Sequence, residues 1–122
     1  MNPSAGDLCT WPRNPLVRDS KRRPVVVLSP AYPGRSTVIV VPLTSDLSSR
    51  SLPLRLVIEA TPANGLAADS LALCDQVTCL LVSLLGESFG QLDQGLLAPL
   101  RYRGALALGL MPSDLRAGAD SP

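Results

Sequence analysis

Two runs decide the fold: Lys21-Arg22-Arg23-Pro24-Val25-Val26-Val27-Leu28-Ser29-Pro30, and Thr37-Val38-Ile39-Val40-Val41-Pro42-Leu43-Thr44-Ser45. Val25–Leu28 is an unbroken aliphatic stretch closed by Pro24 on one side and Ser29-Pro30 on the other. Such a run, short and β-branched, is expected as a strand buried on both faces. Thr37–Leu43 reads as a second buried strand, whose Pro42 points to an edge or a bulge near its end. Pro30-Ala31-Tyr32-Pro33-Gly34 between them is turn chemistry, with proline setting φ and glycine freeing it.

Working outward, Leu8–Trp11 is a short, poorly alternating strand candidate upstream. Leu54–Glu59 begins with the alternation of a half-exposed strand, and Asn64-Gly65 is a turn signal. Ser70–Cys74 reads as a further strand, continued past Asp75-Gln76 into Val77-Thr78-Cys79. The period then changes. Leu92, Leu96, Leu97, Leu100, Gly104, Ala107 and Leu108 fall on one side of a 3.6-residue helix, with Asp93 placed to cap it. Pro99 removes a backbone donor and shifts the expected start toward residue 98. Residues 1–110 are expected as one domain and 111–122, rich in Ser, Gly, Asp and Pro, as a flexible tail. Several short strands followed by a helix make an α+β, mainly β class: a small curled sheet or barrel with one helix packed on it.

The chain's 122 residues suit a single core. With 46% hydrophobic and 17% charged residues it has the composition of a packed globular protein. Aromatics are confined to Trp11, Tyr32, Phe89 and Tyr102, so aliphatic side chains build the core. No histidine is present, which excludes a histidine base, a Ser-His-Asp triad and most zinc sites. Cys9, Cys74 and Cys79 are expected to be reduced, buried, small apolar groups, and no metal is expected. The start of the chain lacks the basic and apolar regions of a signal peptide, and no apolar run approaches the ~18 residues of a membrane span. The expectation is a cytoplasmic protein. A net charge of +1 hides one concentration: Arg13, Arg18, Lys21, Arg22 and Arg23 face only Asp19 in residues 13–23. A basic loop beside a sheet suits a phosphate backbone, although charge alone equally suits a solvated loop. Trp11 and Tyr32 are the nearby aromatic platforms for a base.

The quoted runs resemble the MazF/PemK family of toxins from bacterial type II toxin–antitoxin pairs. Gly6-Asp7, Gly65-Leu66, Asp69-Ser70-Leu71-Ala72-Leu73 and Asp75-Gln76-Val77 follow in the family's order, over approximately residues 6–110. The resemblance implies an SH3-like small barrel with a C-terminal helix, paired as a homodimer. It also implies an endoribonuclease (mRNA interferase) that cuts single-stranded RNA without a metal or other cofactor, silenced by a cognate antitoxin. Arg23 matches the family's catalytic arginine before proline, and Thr44 or Ser45 its strand-end hydroxyl, Thr44 being the better placed. Asp75 matches an aspartate proposed in parts of the family to accept the 2′-hydroxyl proton; it equally suits tying off a strand end. Gln76 and Ser45, with Arg13, Arg18, Lys21 and Arg22, complete the implied RNA contacts. The 2′-hydroxyl attacks the adjacent phosphorus, leaving a 2′,3′-cyclic phosphate and a 5′-hydroxyl, and Arg23 and Thr44 carry donors suited to the phosphoryl charge.

The chain departs from the family pattern twice. Pro15–Ser20 lacks the usual first-loop glutamate, and after Val77 the usual basic residues give way to Thr78-Cys79-Leu80-Leu81-Val82-Ser83-Leu84. Fewer cations mean fewer phosphate contacts, while the apolar replacements enlarge a surface for a second copy or an antitoxin. The alternatives are a non-enzymatic gyrase poison of the CcdB type, whose terminal tryptophan Leu108-Gly109-Leu110-Met111 lacks, and a degenerate toxin that only binds its antitoxin.

Overall fold

The computed structural model describes residues 3–11, 23–30, 32–111 and 113. Seven antiparallel strands form one curled sheet: β1 (Asp7–Trp11), β2 (Arg23–Val27), β3 (Thr37–Thr44), β4 (Arg55–Ile58), β5 (Ser70–Leu73), β6 (Thr78–Leu81) and β7 (Gly90–Gln91). The order is β4-β5-β3-β2-β1-β7, with β6 also on β3, and the helix α1 (Gln94–Ala107) follows. This is the mainly β, α+β half-barrel with a C-terminal helix that the strand and helix periods imply.

β2 is a continuous apolar run because both its faces are covered. Val26 and Leu28 join Leu8, Val41, Leu43, Leu97 and Leu100 in the core beneath the helix. Val25 and Val27 join Cys9, Val38, Val40, Leu80 and Leu85 in a second core on the opposite face. The helix starts at Gln94, not near residue 98. The Asp93 carboxylate accepts the Gly95 N–H at 3.0 Å, and Pro99 lies inside the helix. One forfeited N–H is offset by burial of Leu97, Leu100 and Gly104 on the inward face. The apolar stripe does not run to the end, however: Ala107 and Leu108 are exposed. Arg101 ties the helix back to the sheet, its Nε and Nη2 donating to the Leu28 carbonyl at 3.0 and 2.7 Å.

Elsewhere the strand boundaries move. β4 begins at Arg55 because Leu54 takes φ +68°, a left-handed conformation that extended chain excludes. β5 does not run on: a 3₁₀ turn at Cys74–Gln76 breaks it, and β6 pairs with the first half of β3 instead. That pairing sets Cys79 opposite Ile39 on an uncovered face, so Cys79 is exposed whereas Cys9 and Cys74 are buried. Gly6-Asp7 opens the first strand: Asp7 is buried, its carboxylate accepting from the Ser4 N–H at 2.8 Å and from the Gln91 side-chain amide. β7, too short to signal itself in the sequence, pairs with β1, and Gly90 lets it pass the Asn64 carbonyl where a Cβ would come within 2.1 Å.

Candidate functional site

The β2–β3 ladder stops at Val25–Pro42, where proline brings no N–H. Beyond it β3 stays paired only along its other edge, Leu43 and Thr44 lying opposite Ala72 and Leu71 of β5. Counting two residues outward from Val25–Pro42 reaches Arg23 on one strand and Thr44 on the other. An open cleft of about 470 Å³ lies there. Arg23, Pro24, Leu43, Thr44, Ser45 and Asp46 line it, faced by Leu66, Ala67, Ala68 and Ser70. The sequence candidates Arg23, Thr44 and Ser45 thus share one cavity.

The local hydrogen bonds prepare these groups. The Asp46 N–H donates to Thr44 Oγ1 at 3.2 Å, which occupies a lone pair and leaves the hydroxyl proton free to donate outward. The Ser48 N–H donates to Asp46 Oδ1 at 2.9 Å. Its backbone and side-chain hydrogen bonds hold the Asp46 carboxyl below the ordinary carboxylate range, so it is anionic at neutral pH. The facing wall is braced by Asn64. Its Oδ1 accepts the Thr61 and Leu66 N–H groups, each at 3.0 Å, and its Nδ2 donates to the Glu59 carbonyl at 2.8 Å. Ser70 Oγ donates to the Ala68 carbonyl at 3.0 Å. Arg23 also pairs in register with Trp11 of β1, a half-buried residue packed on the second core.

Asp75 and Gln76 lie elsewhere, in the exposed 3₁₀ turn after β5, and do not line the cleft. Asp75 forms an ion pair with Arg55. Arg55 Nη2 donates to Oδ2 at 3.0 Å and Nε stands 2.8 Å from Oδ1, although the Nε–H is not aligned on it. Arg55 Nη1 reaches Ser49 Oγ at 3.1 Å, so the pair joins the 3₁₀ turn to the β3–β4 connection. Tyr32 belongs to the turn at the other end of the β2–β3 hairpin, where Arg35 stands 4.9 Å over its ring. Arg13, Arg18, Lys21 and Arg22 lie outside the described residues. Among the described residues no three His, Cys, Asp or Glu side chains gather as a metal site, and no helix is long and apolar enough to cross a membrane.

Sequence reading missed Asp46 and Arg55. Asp46 carries a local signal, Thr44-Ser45-Asp46-Leu47-Ser48, in which hydroxyl and carboxylate cap successive N–H groups. Arg55 carries none, since its partner is 20 residues away.

Comparison with known proteins follows the same lines. A family model described as "PemK-like, MazF-like toxin of type II toxin-antitoxin system" matches residues 5–105. MazF from Deinococcus radiodurans is 27% identical, with a TM-score of 0.74 over 90% of this chain and 99% of that one. The Mycobacterium tuberculosis toxin MazF-mt6 is 25% identical, with a TM-score of 0.69 over 86% and 98%. An endoribonuclease in complex with its cognate antitoxin from Mycobacterial species shares the fold at 20% identity and a TM-score of 0.69, over 89% and 97%. No curated protein sequence matches.

Proposed function

Because the chain belongs to the PemK-like, MazF-like toxins of type II toxin–antitoxin systems, we propose that it is a metal-independent endoribonuclease cutting single-stranded RNA at a preferred sequence. The observation that carries this reading is the shared cleft: a guanidinium at residue 23 and an outward-donating hydroxyl at residue 44 border one open cavity. RNA lies in the cleft with one phosphate against Arg23. The adjacent 2′-hydroxyl oxygen attacks phosphorus in line, the bond to the 5′-oxygen breaks, and a 2′,3′-cyclic phosphate and a 5′-hydroxyl result. Charge builds on the non-bridging oxygens during this step. Arg23 meets it with a fixed positive charge and forked N–H donors, and Thr44 with one O–H. Arg23 is a poor proton donor at neutral pH, so its part is electrostatic. Ser45, at the exposed lip, is placed for a phosphate contact, and Trp11 for stacking a neighbouring base. Arg13, Arg18, Lys21 and Arg22 supply the charge that holds the strand. Asp75 and Gln76, in the 3₁₀ turn outside the cleft, are not assigned to this step.

The partners that go with this reading are a second copy of the chain and a cognate antitoxin, in the cytoplasm. The exposed cross-strand pair Ile39–Cys79, continued by Leu81, is an apolar strip suited to the second copy. The test is incubation of the purified protein with a long RNA in EDTA. Discrete fragments ending in cyclic phosphate are expected, with Arg23→Ala slower by about 10²–10³-fold. Thr44→Ser keeps the donor and most of the rate, whereas Thr44→Val does not. Intact RNA at high protein concentration overturns the reading.

A further inference from the structure

We propose that Asp46 is the general base of the cleft, the group that takes the 2′-hydroxyl proton; this rests on the ribonuclease reading above. Transesterification needs a proton acceptor beside the 2′-oxygen, and the described walls of the cleft offer one carboxylate. Arg23 is a cation, Thr44, Ser45 and Ser70 are hydroxyls, and the remaining lining is apolar. The other acidic candidate, Asp75, is engaged by Arg55 outside the cleft. The first loop, Pro15–Ser20, brings no glutamate.

Asp46 is also held in a usable way. Its Oδ1 accepts the Ser48 N–H at 2.9 Å, which with the Ser48 side-chain hydrogen bond fixes the carboxylate, and the exposed residue lines the cleft, where substrate can reach the carboxylate. Its own N–H sits on Thr44 Oγ1, so the base and the phosphate-binding hydroxyl are set by one turn and move together. The described charged group that faces it across the cleft is Arg23. In the step, the 2′-O–H bond breaks and its proton passes to the Asp46 carboxylate as the 2′-oxygen bonds to phosphorus. The departing 5′-oxygen takes a proton from water, and Asp46 returns its own to solvent. No redox change occurs.

The test uses the full chain and an RNA oligonucleotide carrying the cut site mapped with the wild-type protein. Asn at 46 keeps an Oδ1 for Ser48, so Asp46→Asn preserves the turn while removing the base. Its cutting should be about 10²–10⁴-fold slower. Binding of the same oligonucleotide, blocked by a 2′-deoxy sugar at the cut, should be equal or tighter, because a negative charge has left a phosphate-binding cleft. Added formate should restore cutting by Asp46→Gly, a rescue that a merely structural aspartate would not permit. Asp46→Asn at wild-type speed, a parallel loss of binding, or no response to formate each overturns the assignment. So does transfer of the rate loss to Asp19→Asn in the first loop. A wild-type protein that leaves RNA intact is a different result, which removes the ribonuclease reading itself.

Discussion

Replacing Asn64 with alanine tests how the cleft wall is held. The side chain is 4% exposed and makes three hydrogen bonds to backbone: from Thr61 N–H, from Leu66 N–H, and to the Glu59 carbonyl. Alanine removes all three. The Leu66 N–H is buried and has no room to find water, which costs about 1–3 kcal/mol; the two half-buried groups rehydrate partly and cost about 0.5 kcal/mol each. Water has little space to substitute, because Gly65 lies against Phe89 and Gly90 against the Asn64 backbone; an added Cβ would sit at 2.7 and 2.1 Å respectively. The expected loss is about 3 kcal/mol, a large share of the roughly 5–15 kcal/mol typical of a domain. At about 4 °C per kcal/mol for a chain of this size, Tm should fall by about 12 °C. Urea titration should show a lower midpoint with unchanged slope, since the surface exposed on unfolding is the same. Leu66, Ala67 and Ala68 line the cleft directly after this residue, so RNA cutting should weaken well below the new Tm. A loss under 1 kcal/mol would refute the reasoning, by showing that the loop re-forms its bonds without the Asn64 amide.

Three further outcomes are expected. Burial pushes the Cys9 and Cys74 thiols up to about 11, with the Asp7 charge adding to the shift at Cys9. Native protein at pH 8 should therefore expose one fast-reacting thiol, Cys79, and three after denaturation. The same shifts make the unfolded chain lose these protons first, so stability is intact below pH 9 and falls as pH rises from 9 to 11. Urea midpoints across that range should fall less steeply in Cys74→Ala. For the Arg55–Asp75 pair, the side chains are 10% and 37% exposed. Asp75→Ala strands a mostly buried guanidinium and should cost about 1–3 kcal/mol, whereas Arg55→Met leaves a carboxylate that water still reaches and should cost about 1 kcal/mol or less. Equal losses in thermal unfolding would contradict that asymmetry.

What the chain's order of residues determined by itself was local. The Val25–Leu28 and Thr37–Leu43 runs declared strands, Asp93 declared a helix start, and the proline and glycine pairs declared turns. These signals survive because periodicity and turn chemistry act over a few residues. The proline at 99 misled for the opposite reason: its local penalty was outweighed by a buried face that only the packed helix supplies. Which neighbour covers each face was decided by the tertiary structure. β3 leaves β2 at Pro42 while keeping β5, and that parting opens the cleft and brings Leu66–Ala68 across from Arg23 and Thr44. Asp75 is paired with Arg55 away from the cleft lining, and Cys79 is left in solvent by a pairing with Ile39 that no local pattern encodes. A period of two says that side chains alternate; only closure of the sheet, through contacts tens of residues apart, says what each one meets.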